Sequence, residues 1–261
     1  MSYEKIRVEQ DGPVTKIILN QPEKLNACAP DMADEIREAL ASTRDARCFL
    51  ITGEGRAFCS GADLSGGPRD RTTSGGRGSY DALSKHYNPL MMEMARCDAP
   101  IVTAVNGPAA GVGCSIALAG DFAIAGKSAY FLQAFVNIGL VPDGGASWML
   151  PRLIGKARAT EMMMLGEKIP AEKAEGWGMI YKAVDDDALA GEAMALATRL
   201  ANGPTVALGQ MRENLIKALQ TDYSAALHQE AVGQWRAGDS DDSREGIMAF
   251  LQKRKAEFKG K

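Results

Sequence analysis

The sequence predicts an α/β fold: a buried, largely parallel sheet with helices outside it, followed by a helical last third. Three features of the 261 residues carry that expectation. Strand-like runs and helix-period segments are interleaved through the first two-thirds of the chain. The runs at 48–52 and 101–105 are apolar almost throughout, as strands buried on both faces are. From about Ala157 onward the pattern is helical in several pieces, with one short strand near 179–184.

Residues 6–10 and 14–19 alternate polar and apolar side chains, which makes them two strands joined by the turn Asp11-Gly12-Pro13. Gln21-Pro22-Glu23 ends that hairpin. Ala29-Pro30-Asp31 opens a helix on which Met32, Ile36, Ala39 and Leu40 share one face. The strand 48–52 runs into Gly53-Glu54-Gly55. Residues 65–79 hold five glycines, a proline and three arginines; they cannot supply a core and read as a mobile surface loop. A helix over 80–95 follows, then the strand 101–105, which Gly107 stops. Residues 111–119 read as a helix entered through a glycine turn, and 122–125 as another short strand. Later helices are expected over 187–201, 204–219, 223–237 and 241–257, with Gly203-Pro204 as a stop and start.

Composition narrows the function classes. Hydrophobic residues make up 46% and charged residues 24%, enough for one sizeable core. A formal net charge of −3 gives no general attraction to phosphate backbones or anionic lipid. No apolar run reaches membrane-spanning length, and the first residues lack a leader's apolar core, so a cytoplasmic protein is expected. The five cysteines contain no CxxC pair and read as reduced thiols. Two histidines make a His-rich metal site a poor expectation.

The chemistry concentrates in two glycine segments that follow strands. One is Gly55-Arg56-Ala57-Phe58-Cys59-Ser60-Gly61-Ala62-Asp63-Leu64; the other is Asn106-Gly107-Pro108-Ala109-Ala110-Gly111-Val112-Gly113-Cys114. Glycine allows positive φ and close approach to the backbone. A helix starting near Gly111 leaves its first N–H groups without intrahelical partners, at the positive end of its dipole. That is a place where a developing oxyanion is stabilised; ordinary tight turns are the alternative.

Taken together the two segments resemble the oxyanion-hole loops of the enoyl-CoA hydratase/isomerase (crotonase) family. The resemblance runs from Asn20-Gln21-Pro22-Glu23-Lys24-Leu25-Asn26-Ala27 to Ala249-Phe250-Leu251-Gln252-Lys253. Among the branches of the family, the pattern is most similar to the 1,2-epoxyphenylacetyl-CoA isomerases and enoyl-CoA isomerases. The resemblance implies a crotonase-like spiral of ββα units with a helical C-terminal region: a core over 1–200 and a trimerisation region over 201–261. It implies that the N–H groups of Ala62 and Val112 hold a thioester carbonyl while an enolate forms. Two glutamates of the family's hydratases are missing, since Ser115 and Phe135 stand at the matching positions. Asp143, in Pro142-Asp143-Gly144-Gly145, matches the segment where some isomerases keep a proton-shuttling carboxylate. A carboxyl enclosed by Val141 and Phe135 should titrate high. A helix N-cap is the other reading of Asp143.

The resemblance further implies an acyl-CoA substrate and no tightly bound cofactor. Lys24, Leu25, Ala27, Ala62, Asp63, Leu64 and Gly111 would line the CoA cleft and Ser115 and Phe135 the acyl pocket. Phe250 and Lys253 would reach the nucleotide of a neighbouring subunit in a homotrimer or hexamer; a solvated helix charge is the alternative for Lys253. Arg69, Arg71 and Arg77 would steer an anionic substrate or serve solubility alone. An isomerase is the expected activity, with a hydratase as the alternative. A dehalogenase or thioesterase using Asp143 as nucleophile, with His86 as its partner, is a further option. Relatives that bind RNA do so through a lysine-rich helix, whereas residues 31–38 here are acidic and repel phosphate.

Overall fold

In the structure, a computed structural model that describes residues 3–43, 45–63 and 75–261, the first elements are an antiparallel hairpin, β1 (Ile6–Asp11) and β2 (Val14–Leu19). α1 (Pro30–Ser42) follows, burying Met32, Ala33, Ile36, Ala39 and Leu40 along one side. β3 (Cys48–Gly53) then lies parallel to β2. The next helical stretch has three parts: α2 (Gly75–Ala82), a π-turn over Leu83–Tyr87 in which the Asn88 N–H donates to the Leu83 carbonyl, and α3 (Asn88–Arg96). The glycine-rich segment expected to be loop up to residue 79 is thus helical from Gly75 onward.

β4 (Ile101–Val105), β5 (Ala109–Ala110) and α4 (Val112–Leu118) come next, then β6 (Phe122–Gly126) and β7 (Tyr130–Leu132). A 3₁₀ turn over Ala134–Ile138 leads towards α5 (Ala146–Leu165). α5 consists of two helical halves that meet at a kink: Gly155, at φ +75° and ψ +160°, is not helical, so the second half begins near residue 157, where the sequence pattern places helical structure, and the first half, which holds Pro151, precedes it. β8 (Ile169–Pro170), α6 (Ala171–Gly176), β9 (Lys182–Val184) and α7 (Leu189–Ala201) complete the body. α8 (Thr205–Ala218), α9 (Tyr223–Gly238) and α10 (Asp241–Leu251) form the helical end.

The main sheet has the order β1-β2-β3-β4-β6-β9, and every pair after the first is parallel. In β3, Phe49 and Ile51 point to one core with α1, whereas Cys48 and Leu50 point to another beneath α7. Burial on both faces is the reason the run is continuously apolar. α7 lays Leu189, Ala193, Ala197 and Ala201 on the sheet at four-residue spacing, and the alanines let the helix sit close.

A second ladder runs beside the first. It consists of β5, β7 and β8, extended by single bridges from Cys59 to Ala109 and from Cys28 to Ala62. After each main strand the chain crosses to this ladder and then enters a helix: β3, the Cys59–Ala62 stretch and α2–α3; β4, β5 and α4; β6, β7 and α5. That repeating path is the spiral of ββα units.

The helical end is fastened by buried polar contacts. Arg212 of α8, 6% exposed, donates to Asp121 Oδ2 at 2.6 Å and to the Met94 and Cys97 carbonyls. α10 stops at Leu251 rather than near residue 257. Lys253 takes φ +55°, and the chain beyond it returns to the first turn of α10, where Asp242 accepts from Lys259 and Gly260 N–H at 2.6 and 2.7 Å. Leu215, Leu227, Trp235, Met248 and Phe250 remain exposed on these helices.

Candidate active site

Both glycine segments face each other across the second ladder. Cys59 N–H donates to the Pro108 carbonyl at 3.0 Å, and Ala110 N–H donates to the Cys59 carbonyl at 2.9 Å. Beyond these bonds, a side chain at position 111 would meet the Gly61 Cα at 3.7 Å and the Phe135 ring at 3.6 Å. Gly111 also holds φ +52°, ψ −128°, a conformation open to glycine and strained for other residues.

The direction of each following N–H is fixed by its own peptide unit, because C=O and N–H of a trans peptide point opposite ways. The Gly61 carbonyl accepts from Cys28 N–H at 2.7 Å, so the Ala62 N–H points away from Cys28. The Gly111 carbonyl accepts from Cys114 and Ser115 N–H inside α4, so the Val112 N–H projects out of the helix start. Among the described residues neither N–H donates to a backbone carbonyl. Two free donors therefore emerge from two adjacent chain segments, one of them at a helix N-terminus.

Asp143 sits next to the second donor. Its carbonyl accepts from the Ser115 hydroxyl at 3.0 Å and from Ala146 N–H at 3.1 Å. A side chain at Gly144 would lie 2.7 Å from Ser115 Cβ and 3.4 Å from Val112 Cγ2, so glycine lets this turn rest on the start of α4. The N-cap of α5 is Gly145, with no side-chain cap bond, which removes the capping role for the Asp143 carboxylate. Asp143 Oδ1 is buried and has no hydrogen-bond partner among the described residues. Burial alone pushes this carboxyl up to about 6. Val141 does not enclose it, being 80% exposed. The Asp143 charge also reaches Tyr87 and Cys28, adding to the upward shift that burial gives both.

The whole-chain comparisons fit that geometry. Residues 9–261 match the sequence profile described as enoyl-CoA hydratase/isomerase. The chain belongs to the enoyl-CoA hydratase/isomerase family. It is 42% identical over 254 residues to a 1,2-epoxyphenylacetyl-CoA isomerase of Escherichia coli, covering 95% of each chain. It is also 42% identical over 262 residues, the full length of both, to a protein of Rhodobacter capsulatus named "Probable enoyl-CoA hydratase". A solved structure of enoyl-CoA hydratase from Bacillus anthracis superposes with a TM-score of 0.91 at 28% identity, over 99% of this chain and 100% of that one. The crotonase-like α/β fold expected from sequence is therefore the fold of the chain, and enzymes of the isomerase and lyase kind are its relatives.

Within this enoyl-CoA hydratase/isomerase fold, the structure groups some of the sequence-derived residues and separates others. Lys24, Leu25 and Ala27 line up beside the first loop, where the Leu25 carbonyl accepts from Ser60 N–H at 3.0 Å and Lys24 Nζ pairs with Asp63 at 3.1 Å. Gly111, Ser115 and Phe135 lie together around the start of α4. Ser115 is fully buried, and the Phe135 ring is 9% exposed, so no carboxylate stands at either position. Phe250 is 82% exposed and Lys253 lies just past the end of α10; among the described residues neither has a hydrogen bond or ion pair to the two loops. Leu64, Arg69 and Arg71 lie outside the described residues. Arg77 pairs with Asp81 one turn on, at 3.6 Å.

His86 is a correction. It sits in the π-turn with Nδ1 2.7 Å from Asp34 Oδ2 of α1, which ties it to that helix rather than to Asp143. Burial pushes Cys59 up to about 11 and Cys114 up to about 12, which favours the neutral thiol at both. Two groups that sequence reasoning passed over support the loops. Asn106 donates to the Gly53 and Gly55 carbonyls at 2.9 and 2.8 Å, bracing the turn before the first loop from the start of the second. Tyr87, 4% exposed, donates to the Cys28 carbonyl at 2.6 Å. Asn106-Gly107 was a visible signal; nothing local marks Tyr87.

Proposed function

We propose that the protein is an acyl-CoA isomerase. It shifts a double bond, or isomerises a ring epoxide, through a thioester enolate held by the N–H groups of Ala62 and Val112. Asp143 carries the proton. As carboxylate it takes a proton from one carbon of the acyl chain, the electron pair moves onto the thioester oxygen, and the carboxylic acid returns the proton at the far end of the conjugated system. The observation that carries this reading is the buried, unpartnered oxygen of Asp143 beside the start of α4. A group that must both accept and release a proton works best with a pKa not far from the working pH, and about 6 suits that task.

Hydration is the second reading, favoured by the name of the Rhodobacter relative. It asks for groups that hold and activate a water molecule. Buried Ser115 and the Phe135 ring offer no carboxylate for it. The two readings part on a panel of aliphatic and aromatic enoyl-CoAs with product detection. The expected result is fast conversion of 3-enoyl- to 2-enoyl-CoA, with crotonyl-CoA hydrated at less than about one-hundredth of that rate, the worth of a general acid–base group. Hydration as fast as isomerisation would overturn the proposal.

No resident cofactor enters this scheme; coenzyme A arrives as part of the substrate, and the cytoplasm is the compartment that fits. The 201–261 region is proposed as a trimerisation region, giving a homotrimer or a hexamer. The exposed apolar side chains of α8–α10 support it, as does the position of Phe250 and Lys253 away from their own loops. Light scattering should give three or six times the 27.8 kDa of one chain, and a monomer would refute the assembly.

A further inference from the structure

We propose that Tyr87 is a positioning residue for the first oxyanion donor: its hydroxyl aims the Ala62 N–H by holding the Cys28 carbonyl. The inference rests on the acyl-CoA reading above and adds a residue to its machinery.

Among the described residues, Cys28 and Ala62 form a single parallel bridge outside the named strands. Its two bonds are Cys28 N–H to the Gly61 carbonyl at 2.7 Å and Asp63 N–H to the Cys28 carbonyl at 3.3 Å. Those bonds set the planes of the two peptides flanking Ala62 and so direct the Ala62 N–H. The second bond is long for an N–H···O contact and gives a loose hold by itself. The Tyr87 hydroxyl supplies the tighter bond, 2.6 Å, to the same carbonyl oxygen. The other ties between the two segments, Ser60 N–H to the Leu25 carbonyl and Lys24 to Asp63, lie to either side of this peptide plane and leave the Cys28 carbonyl to Asp63 N–H and to Tyr87.

The tyrosine itself is rigidly placed. It closes the π-turn and continues into α3, whose Leu90 and Met94 are fully buried on the same face. π-turns are costly local irregularities that recur at functional sites. Here the turn leaves His86 on Asp34 and Tyr87 on Cys28, so two successive side chains brace different segments. Burial pushes the Tyr87 hydroxyl well above its ordinary value, and the Asp143 carboxylate adds to the shift. It therefore keeps its proton and acts as a fixed donor, not as a second proton carrier.

The test is isotope-edited infrared difference spectroscopy of hexanoyl-CoA labelled with ¹³C at the thioester carbonyl, bound to the full-length protein. A carbonyl polarised by two aimed donors absorbs below the frequency of the free thioester. In wild type the band should be lowered; in Tyr87→Phe it should return part of the way. In parallel kcat should fall roughly three- to tenfold, the worth of one hydrogen bond, with KM within about twofold of wild type. Leu90→Ala serves as the comparison. It opens the same helix face but keeps the Tyr87 hydroxyl and its bond to the Cys28 carbonyl, and should lower thermal stability while leaving the band in place. Tyr87→Met, which also lacks the hydroxyl, should repeat the result and stands in if the phenylalanine variant does not fold. A bound carbonyl band in Tyr87→Phe or Tyr87→Met that matches wild type would overturn the positioning role. A wild-type band identical to that of free hexanoyl-CoA would overturn the acyl-CoA reading itself, a different failure.

Discussion

Asp143→Asn should lower kcat for isomerisation of a 3-enoyl-CoA by about 10²–10⁴-fold, the usual worth of a positioned general acid–base group. Asparagine keeps the size and the backbone bonds of Asp143, whose carbonyl still receives the Ser115 hydroxyl and Ala146 N–H. KM should therefore change little, which separates lost proton transfer from lost binding. In wild type the free enzyme must hold the carboxylate, so kcat/KM should fall about tenfold per pH unit below about 6, where Asp143 takes up its proton. Stability should move the other way. The carboxyl titrates at about 6 in the fold, against about 3.9 in an unfolded chain. Between those values the folded state holds a proton that the unfolded chain has released, so stability falls as pH rises through that window and stays lower above it. Asparagine carries no such penalty. At pH 8 the variant should be more stable by about 1–2 kcal/mol, allowing for the solvent that reaches this half-buried group. Near pH 4 the advantage should vanish. Thermal melts at the two pH values with a rate assay check both halves; an Asp143→Asn enzyme with wild-type turnover would remove Asp143 from the chemistry.

Val112→Pro should cost about 10²–10³ in kcat, as removal of one oxyanion donor does. Proline at the first position of a helix is well tolerated, because the N–H it lacks has no intrahelical partner there. Gly111, which precedes it, is already outside the α region at ψ −128°, as a residue before proline must be. Val112→Ala supplies the contrast, since it trims the side chain and keeps the N–H. Steady-state kinetics of the two variants should put nearly all of the loss on the proline. Equal kcat in both would mean that the Val112 N–H is not a donor to the reacting thioester.

Much of the fold is legible in the sequence because its strands are buried twice over. β3 and β4 are continuously apolar for that reason, and α1 shows its inward face at helical spacing. Where the structure departs from the sequence pattern, the physical cause is specific. Pro151 and Gly155 break the pattern of α5, a helix that absorbs both by changing direction at Gly155. The glycines of α2 argue for loop, yet the helix runs on into the π-turn and α3, and the packing of α3 holds the whole stretch in place. Lys253 ends α10 in a left-handed conformation that nothing in its side chain announces. At the site, glycines make the backbone donors legible, since few other residues permit such approaches. Tyr87, the Asp34–His86 pair and the exposure of Val141 are not legible, because each depends on contacts between segments far apart in sequence.

The spiral path has one more consequence. Cys59 and Ala109 are bridge partners, and Ala62 and Val112 each come three residues later along neighbouring turns. The separation of the two N–H groups is therefore governed by the backbone pairing at Cys59 and Ala109, where neighbouring chains lie about 4.8 Å apart, rather than by any side chain. Side chains at these two positions can vary in size or polarity without widening that separation. What the arrangement does not tolerate is a change in count: one residue added between 59 and 62, or between 109 and 112, would move an N–H out of line with its neighbour on the other segment.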